Sequence, residues 1–97
     1  MILEIAQINI KSGSESAYEA GFANAVPIIR GAKGCLGVEL RRSVEIAGQY
    51  WLLVQWEALE NHTVDFAQSS GAATLASSLG LYVDNAVVVH STCVIAG

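Results

Sequence analysis

Tyr50-Trp51-Leu52-Leu53-Val54-Gln55-Trp56 is the stretch that decides the fold. A strand sends alternate side chains to opposite faces. Tyr50, Leu52, Val54 and Trp56 therefore point one way, and Trp51, Leu53 and Gln55 the other. Large apolar groups stand on both sides, so both sides need cover. Helices can shield one face. A second copy of the same sheet can shield the other, and the reading predicts a homodimer.

Working outward, residues 35–44 read as the preceding strand and 49–57 as its partner, with a turn at Glu45-Ile46-Ala47-Gly48 that makes them an antiparallel hairpin. Residues 2–10 read as the first strand. Ile2, Glu4, Ala6, Ile8 and Ile10 share one face; Leu3, Ile5, Gln7 and Asn9 share the other. Lys11-Ser12-Gly13-Ser14 breaks the strand, and Ser12 followed by Glu15 has the form of a capping box. Tyr18, Phe22, Ala25 and Ile29 then recur at helical spacing as one buried stripe. Pro27 is expected to kink or restart that helix, and Gly31 and Gly34 to end it. Residues 58–70 read as a second helix, with Leu59, Thr63, Phe66 and Ser70 on one face and His62 at its margin. The small residues of 69–78 follow. Leu75 and Leu79 suggest a short third helix ending at Gly80, and 86–96 reads as the last strand. The order β-α-β-β-α-β is the split βαβ pattern. The prediction is an α+β, ferredoxin-like antiparallel sheet forming one domain over 1–97. Its second and fourth strands lie at opposite edges, too far apart for Cys35 and Cys93 to bridge.

Composition narrows the function. The apolar fraction is 53% and charged residues are 14%, which is rich in apolar groups for a small monomer and agrees with a covered face. The net charge is −4, with five Lys and Arg and no basic stripe, which argues against nucleic-acid binding. No apolar run is long enough to span a bilayer, and no basic lead precedes the first apolar stretch, so a cytoplasmic protein without membrane contact is expected. Cys35 and Cys93 lack metal-type spacing and read as small buried hydrophobes.

The stretch Gly34-Cys-Leu-Gly37-Val-Glu39-Leu-Arg41-Arg-Ser43 is followed by a strand ending in Trp56-Glu57 and a segment with Glu60-Asn61-His62 and Phe66. This resembles the antibiotic biosynthesis monooxygenase-like family of dimeric α+β barrels. The resemblance rests on Gly37, Arg42-Ser43, Trp56 and His62. It implies a homodimer with a pocket between helices and sheet in each subunit. Some members of that family are cofactor-independent oxygenases of phenols, anthrones or quinols. There the substrate supplies the electrons, so no cofactor is expected. Other members degrade haem, using an asparagine on the first strand, a histidine after the second helix and an indole within it. Gln7 or Asn9 can stand at the first position, but 67–82 holds no histidine and the helix offers Phe66 in place of tryptophan. Haem degradation is not expected.

An oxygenase of this kind needs an apolar pocket, a base or acceptor, and donors for a developing oxyanion. His62 is the leading base, with Asn9 and His90 as polar partners. Phe22, Trp56, Phe66 and Tyr82 are the rings that can hold a small aromatic, quinol or polyketide-type substrate. The plainer reading of each is packing: His62 against the sheet, His90 at a dimer seam, Asn9 as a strand-end amide, the rings as core. Arg41 and Arg42 read as edge-strand charges. Asn61-His62-Thr63 matches a glycosylation sequon inside a predicted helix and is set aside. Two other functions use the same pocket: a non-catalytic dimer binding a small apolar ligand, with 69–78 as a movable lid, and an isomerase or cyclase that moves protons without O₂.

Overall fold

Strands β1 (Ile2–Ile10), β2 (Cys35–Arg42), β3 (Gln49–Trp56) and β4 (Val83–Ser91) form one antiparallel sheet in the order β2-β3-β1-β4. The computed structural model describes residues 1–97. Helix α1 (Glu15–Arg30) follows β1. A π turn at Asn61–Phe66, helix α2 (Ser70–Leu79) and a 3-10 turn at Gly80–Tyr82 connect β3 to β4. This is the expected β-α-β-β-α-β, ferredoxin-like α+β fold, with β2 and β4 at the edges. No helix is long and apolar enough to cross a membrane.

One face of the sheet carries the core. Ala6, Ile8 and Ile10 of β1 and Tyr50, Val54 and Trp56 of β3 are buried against the stripe Tyr18, Phe22, Ala25 and Ile29 of α1, with Leu79 of α2. The register Ile8↔Tyr50 and Glu4↔Val54 puts these residues on the same side. The opposite face holds Leu3 and Ile5, Trp51 and Leu53, and Val87 and Val89, and no part of the chain covers it. Val87 and Val89 are 62% and 51% exposed.

Several boundaries differ from the sequence reading. Helix α1 begins at Glu15 with Ser14 at its N-cap position and no side-chain cap, so Ser12 does not form the capping box. Pro27 lies inside one continuous helix, which runs to Arg30 and stops at Gly31 as expected. Proline removes one N–H and leaves the Ala23 carbonyl without its helical partner. The predicted helix 58–70 is a six-residue π turn instead, and the predicted short third helix is the full helix α2. Ser69 caps it, its hydroxyl accepting from the Ala72 N–H at 3.1 Å. The small residues of 69–78 are thus helical, with Gly71 set close against α1 and the outer face exposed. A Cβ at Gly71 would meet Ile28 Cγ2 at 2.7 Å, and one at Gly21 would meet Leu79 Cδ2 at 2.9 Å. The last strand starts and stops earlier than 86–96, because its partner β1 is used up once Leu3 pairs with Ser91. Cys93 then falls outside the sheet and is exposed, and Cys35 is half-buried, so neither is the buried hydrophobe expected.

The β2–β3 turn shows what Ser43 does. Its hydroxyl accepts from the N–H groups of Glu45 at 3.3 Å and Ile46 at 3.1 Å, and Gly48 closes the turn with φ 76°. Gly34, before β2, is more constrained. Its φ is +79°, its carbonyl accepts from the Glu57 N–H at 2.9 Å, and a Cβ there would lie 2.2 Å from the Asn61 side chain. Gly34→Ala is expected to lose about 1–2 kcal/mol to the left-handed backbone and a further ~1–3 kcal/mol to overpacking against Asn61. Gly13→Ala is the control: φ is +86°, but nothing lies within 4 Å, so only the backbone penalty applies. Urea unfolding of the two variants separates the effects. Equal losses at both positions would contradict the contact with Asn61.

Candidate functional site

Glu4 is the centre of the site, although it sits in the apolar first strand. Its position on the face of Ala6, Ile8 and Ile10 buries it to 6% exposure. A carboxylate held that deep must be paired or hydrogen-bonded. The Trp56 indole N–H donates to Glu4 Oε1 at 3.0 Å, and His62 Nε2 lies 3.4 Å from the same oxygen. His62 Nδ1 in turn lies 2.8 Å from His90 Nε2. The result is a line of three groups, carboxylate, imidazole and imidazole, drawn from β1, the π turn and β4.

Each part is placed by local structure. His90 pairs with Glu4 across the β1–β4 ladder, so the two side chains share a face. Trp56 ends β3 opposite Ile2. The π turn starts at Asn61, whose buried side chain accepts from the Ala58 N–H at 2.9 Å and donates to Asp65 at 3.3 Å. Those bonds lock the chain just before His62, and they leave Asn61 occupied and buried, as the sequon would not. His62 stacks on the Trp56 indole with ring centroids 5.5 Å apart and planes 15° apart, and Phe66 lies 5.8 Å from the same indole. Burial holds the His62 pKa below the ordinary imidazole value; Glu4 pulls it up and His90 pushes it down further. His62 is therefore set to be neutral near pH 7, which a base requires.

The other residues singled out by sequence lie elsewhere. Asn9 and Gln7 point to the uncovered face, and Asn9 donates to Asn85 Oδ1 at 2.5 Å. Asn9 thus does not meet His62 and His90, because residues 9 and 4 have opposite parity on one strand. Tyr82 stands at the far end of β1, where its carbonyl accepts from the Lys11 N–H. Seven residues of strand separate Lys11 from Glu4, roughly 20 Å. Phe22 is buried in the core and lines an open cleft of about 350 Å³ between α1 and β2, with Val26, Leu40 and Tyr50. That lining does not include His62 or His90. Trp56 and Phe66 are the two predicted rings that join the histidine pair.

The α1–β2 cleft has its own polar end. Glu19 accepts from the Tyr50 hydroxyl and from Arg42 Nη2 at 2.6 Å. The Tyr50 hydrogen bond, then Arg42, hold the Glu19 carboxyl below its usual range. Burial, then Glu19, raise the Tyr50 phenol. Burial, then Tyr50, push Tyr18 up to about 12. These phenols stay protonated at neutral pH and serve as donors, not bases. Arg42 is thus a partner of α1 and more than an edge charge.

Sequence reasoning missed Glu4. A signal was present, since a charge on the same face as three buried aliphatics must find a partner there. What the sequence did not carry was the register that sets His90 opposite Glu4.

The comparisons with known proteins agree with this architecture. The profile of the antibiotic biosynthesis monooxygenase family matches residues 1–73. The chain is 44% identical over 70 residues to the uncharacterized protein YczJ of Bacillus subtilis, covering 72% of this chain and 74% of that one. It is 40% identical to a candidate antibiotic biosynthesis monooxygenase from Bordetella bronchiseptica. That crystal structure superposes with a TM-score of 0.94 over 97% of each chain. A third structure, SnoaB from Streptomyces nogalater, a cofactor-independent oxygenase, shares the fold at 16% identity, with a TM-score of 0.83 over 98% of this chain and 94% of that one. An antiparallel βαββαβ sheet with helices on one face, matched by a family profile over three quarters of its length, defines the class. The chain belongs to the antibiotic biosynthesis monooxygenase family.

Proposed function

We propose that this chain is a homodimeric, cofactor-independent monooxygenase of a small aromatic, quinol or polyketide-type substrate. The observation that carries the reading is the line Glu4–His62–His90 beside the stacked Trp56 indole: an oriented imidazole pair anchored by a buried carboxylate. Such a pair can remove a proton from an acidic C–H or O–H, leaving an electron-rich carbanion or phenolate. That anion reduces O₂ directly. For an anthrone-type methylene the balance is CH₂ plus O₂ giving C=O plus water, with the substrate as the only reductant. The name of SnoaB as a cofactor-independent oxygenase supports the same chemistry on this fold. The uncovered apolar face of the sheet supports the dimer.

The test is oxygen uptake with a panel of anthrones and quinols. Wild type is expected to consume O₂, and His62→Ala to lose about 10²–10⁴ of that rate, the range for a positioned acid–base group. Turnover that proceeds equally without O₂ points to an isomerase instead. Wild-type and His62→Ala proteins that are equally inactive across the panel defeat the reading.

A further inference from the structure

The hydrogen positions in the cluster follow from what each nitrogen faces. An ionised carboxylate only accepts. Glu4 Oε1 already takes the Trp56 N–H, and His62 Nε2 lies 3.4 Å from it. That nitrogen must carry a hydrogen to be tolerated there. A neutral imidazole has one N–H, so His62 Nδ1 presents a lone pair. His90 Nε2, 2.8 Å away, must then donate to it. The one N–H of His90 is thereby used, and its Nδ1 is left as a lone pair with no hydrogen bond inside the chain.

We propose that the site takes up its proton at His90 Nδ1, and that His62 is a positioning residue that fixes the His90 ring through Glu4. The proposal rests on the reading that this cluster is the reaction centre, and it moves the basic atom from His62 to the outer ring. In the reaction a substrate C–H or O–H bond breaks, the proton goes to His90 Nδ1, and the electron pair stays on the substrate. No bond to the protein forms and nothing is oxidised in that step.

Three observations support the assignment. His62 is half-buried and stacked on Trp56, with Nδ1 2.8 Å from His90 Nε2 and Nε2 3.4 Å from Glu4 Oε1, so both its ring nitrogens already have close partners. Two imidazoles 2.8 Å apart do not both become charged, so one must take the proton and the other must stay neutral. Glu4 from β1 and the uncharged indole of Trp56 from β3 face His62, and His62 faces His90. The arrangement also explains a lone carboxylate in an apolar strand: it sets the tautomer of the inner ring and thereby that of the outer one.

Long-range ¹H–¹⁵N NMR of the imidazole rings tests this in the whole folded protein without any substrate. Both rings are expected in the Nε2–H tautomer, with His90 Nδ1 as the bare nitrogen. His62→Ala removes the acceptor for the His90 Nε2–H and should free the His90 ring to populate both tautomers; a ring that stays wholly Nε2–H in that variant contradicts the positioning role. A His90 ring found as Nδ1–H overturns the proposal. Where a substrate turns over, His90→Asn is expected to lose about 10²–10⁴ of the rate; a His90→Asn protein at the wild-type rate also overturns the proposal. Failure of the oxygen assay alone strikes the monooxygenase reading and leaves the NMR assignment to stand or fall by itself.

Discussion

Trp56→Ala is expected to lower the free energy of unfolding by about 3–5 kcal/mol from the cavity alone. The indole is 1% exposed, stacks on His62, tilts over Phe66 and donates its N–H to Glu4. Truncation removes the packing of all three neighbours and strips the buried carboxylate of its shortest hydrogen bond. An unmet charged acceptor adds at least ~1–3 kcal/mol. Against a total stability of about 5–15 kcal/mol for domains of ordinary size, this is a large part of what holds the chain folded. Trp56→Phe separates the two contributions: it keeps a ring in the space and loses only the N–H, so its loss should be about 1–3 kcal/mol. Urea unfolding followed by far-ultraviolet circular dichroism reads both. A loss below about 1 kcal/mol for Trp56→Ala contradicts the packing described.

Leu53→Arg is the second large effect, expected on association. Leu53 lies mid-strand on the uncovered face, opposite Ile5 on β1 and Glu39 on β2. In a dimer that buries this face, the guanidinium loses its water, a cost that pairing with Glu39 across the ladder offsets only in part. The dissociation constant should rise by about 10²-fold or more, equivalent to roughly 2.8 kcal/mol. The isolated fold should survive, because the side chain leaves the sheet away from the helices. Ala20→Arg, on the exposed side of α1, is the control and should not change the assembly. Sedimentation velocity at micromolar concentration decides. A wild-type chain that is already monomeric there removes the dimer from the proposed function.

The sequence carried the strands of the hairpin, the first strand and the α1 stripe because each has a repeating apolar pattern that matches one period. It failed where pattern is weak. Between β3 and β4, alanine and serine carry little hydrophobic signal, yet alanine favours helix and Ser69 supplies the cap, so α2 is a fuller helix than the short one that Leu75 and Leu79 suggested. The π turn was illegible because its wider spacing and the Asn61 side-chain bonds have no simple sequence mark. Thr92-Cys93-Val94-Ile95 looks as strand-like as what precedes it, and only the end of β1 stops the ladder. For the site, His62 and His90 were each visible as histidines. Their meeting depends on the β1–β4 register and on parity, which also sends Asn9 to the other face.

The two margins of the sheet are unequally protected. Along β2 a newcomer strand meets Glu39, Arg41 and Arg42, whose charges must be stripped of water before backbone pairing begins. Along β4 it meets Ala86-Val87-Val88-Val89, uncharged and open on both sides, with Val88 47% exposed. On heating or prolonged storage the seed of any fibril should therefore form at this valine run, and one lysine set into it should delay clouding more than the same change anywhere along β2.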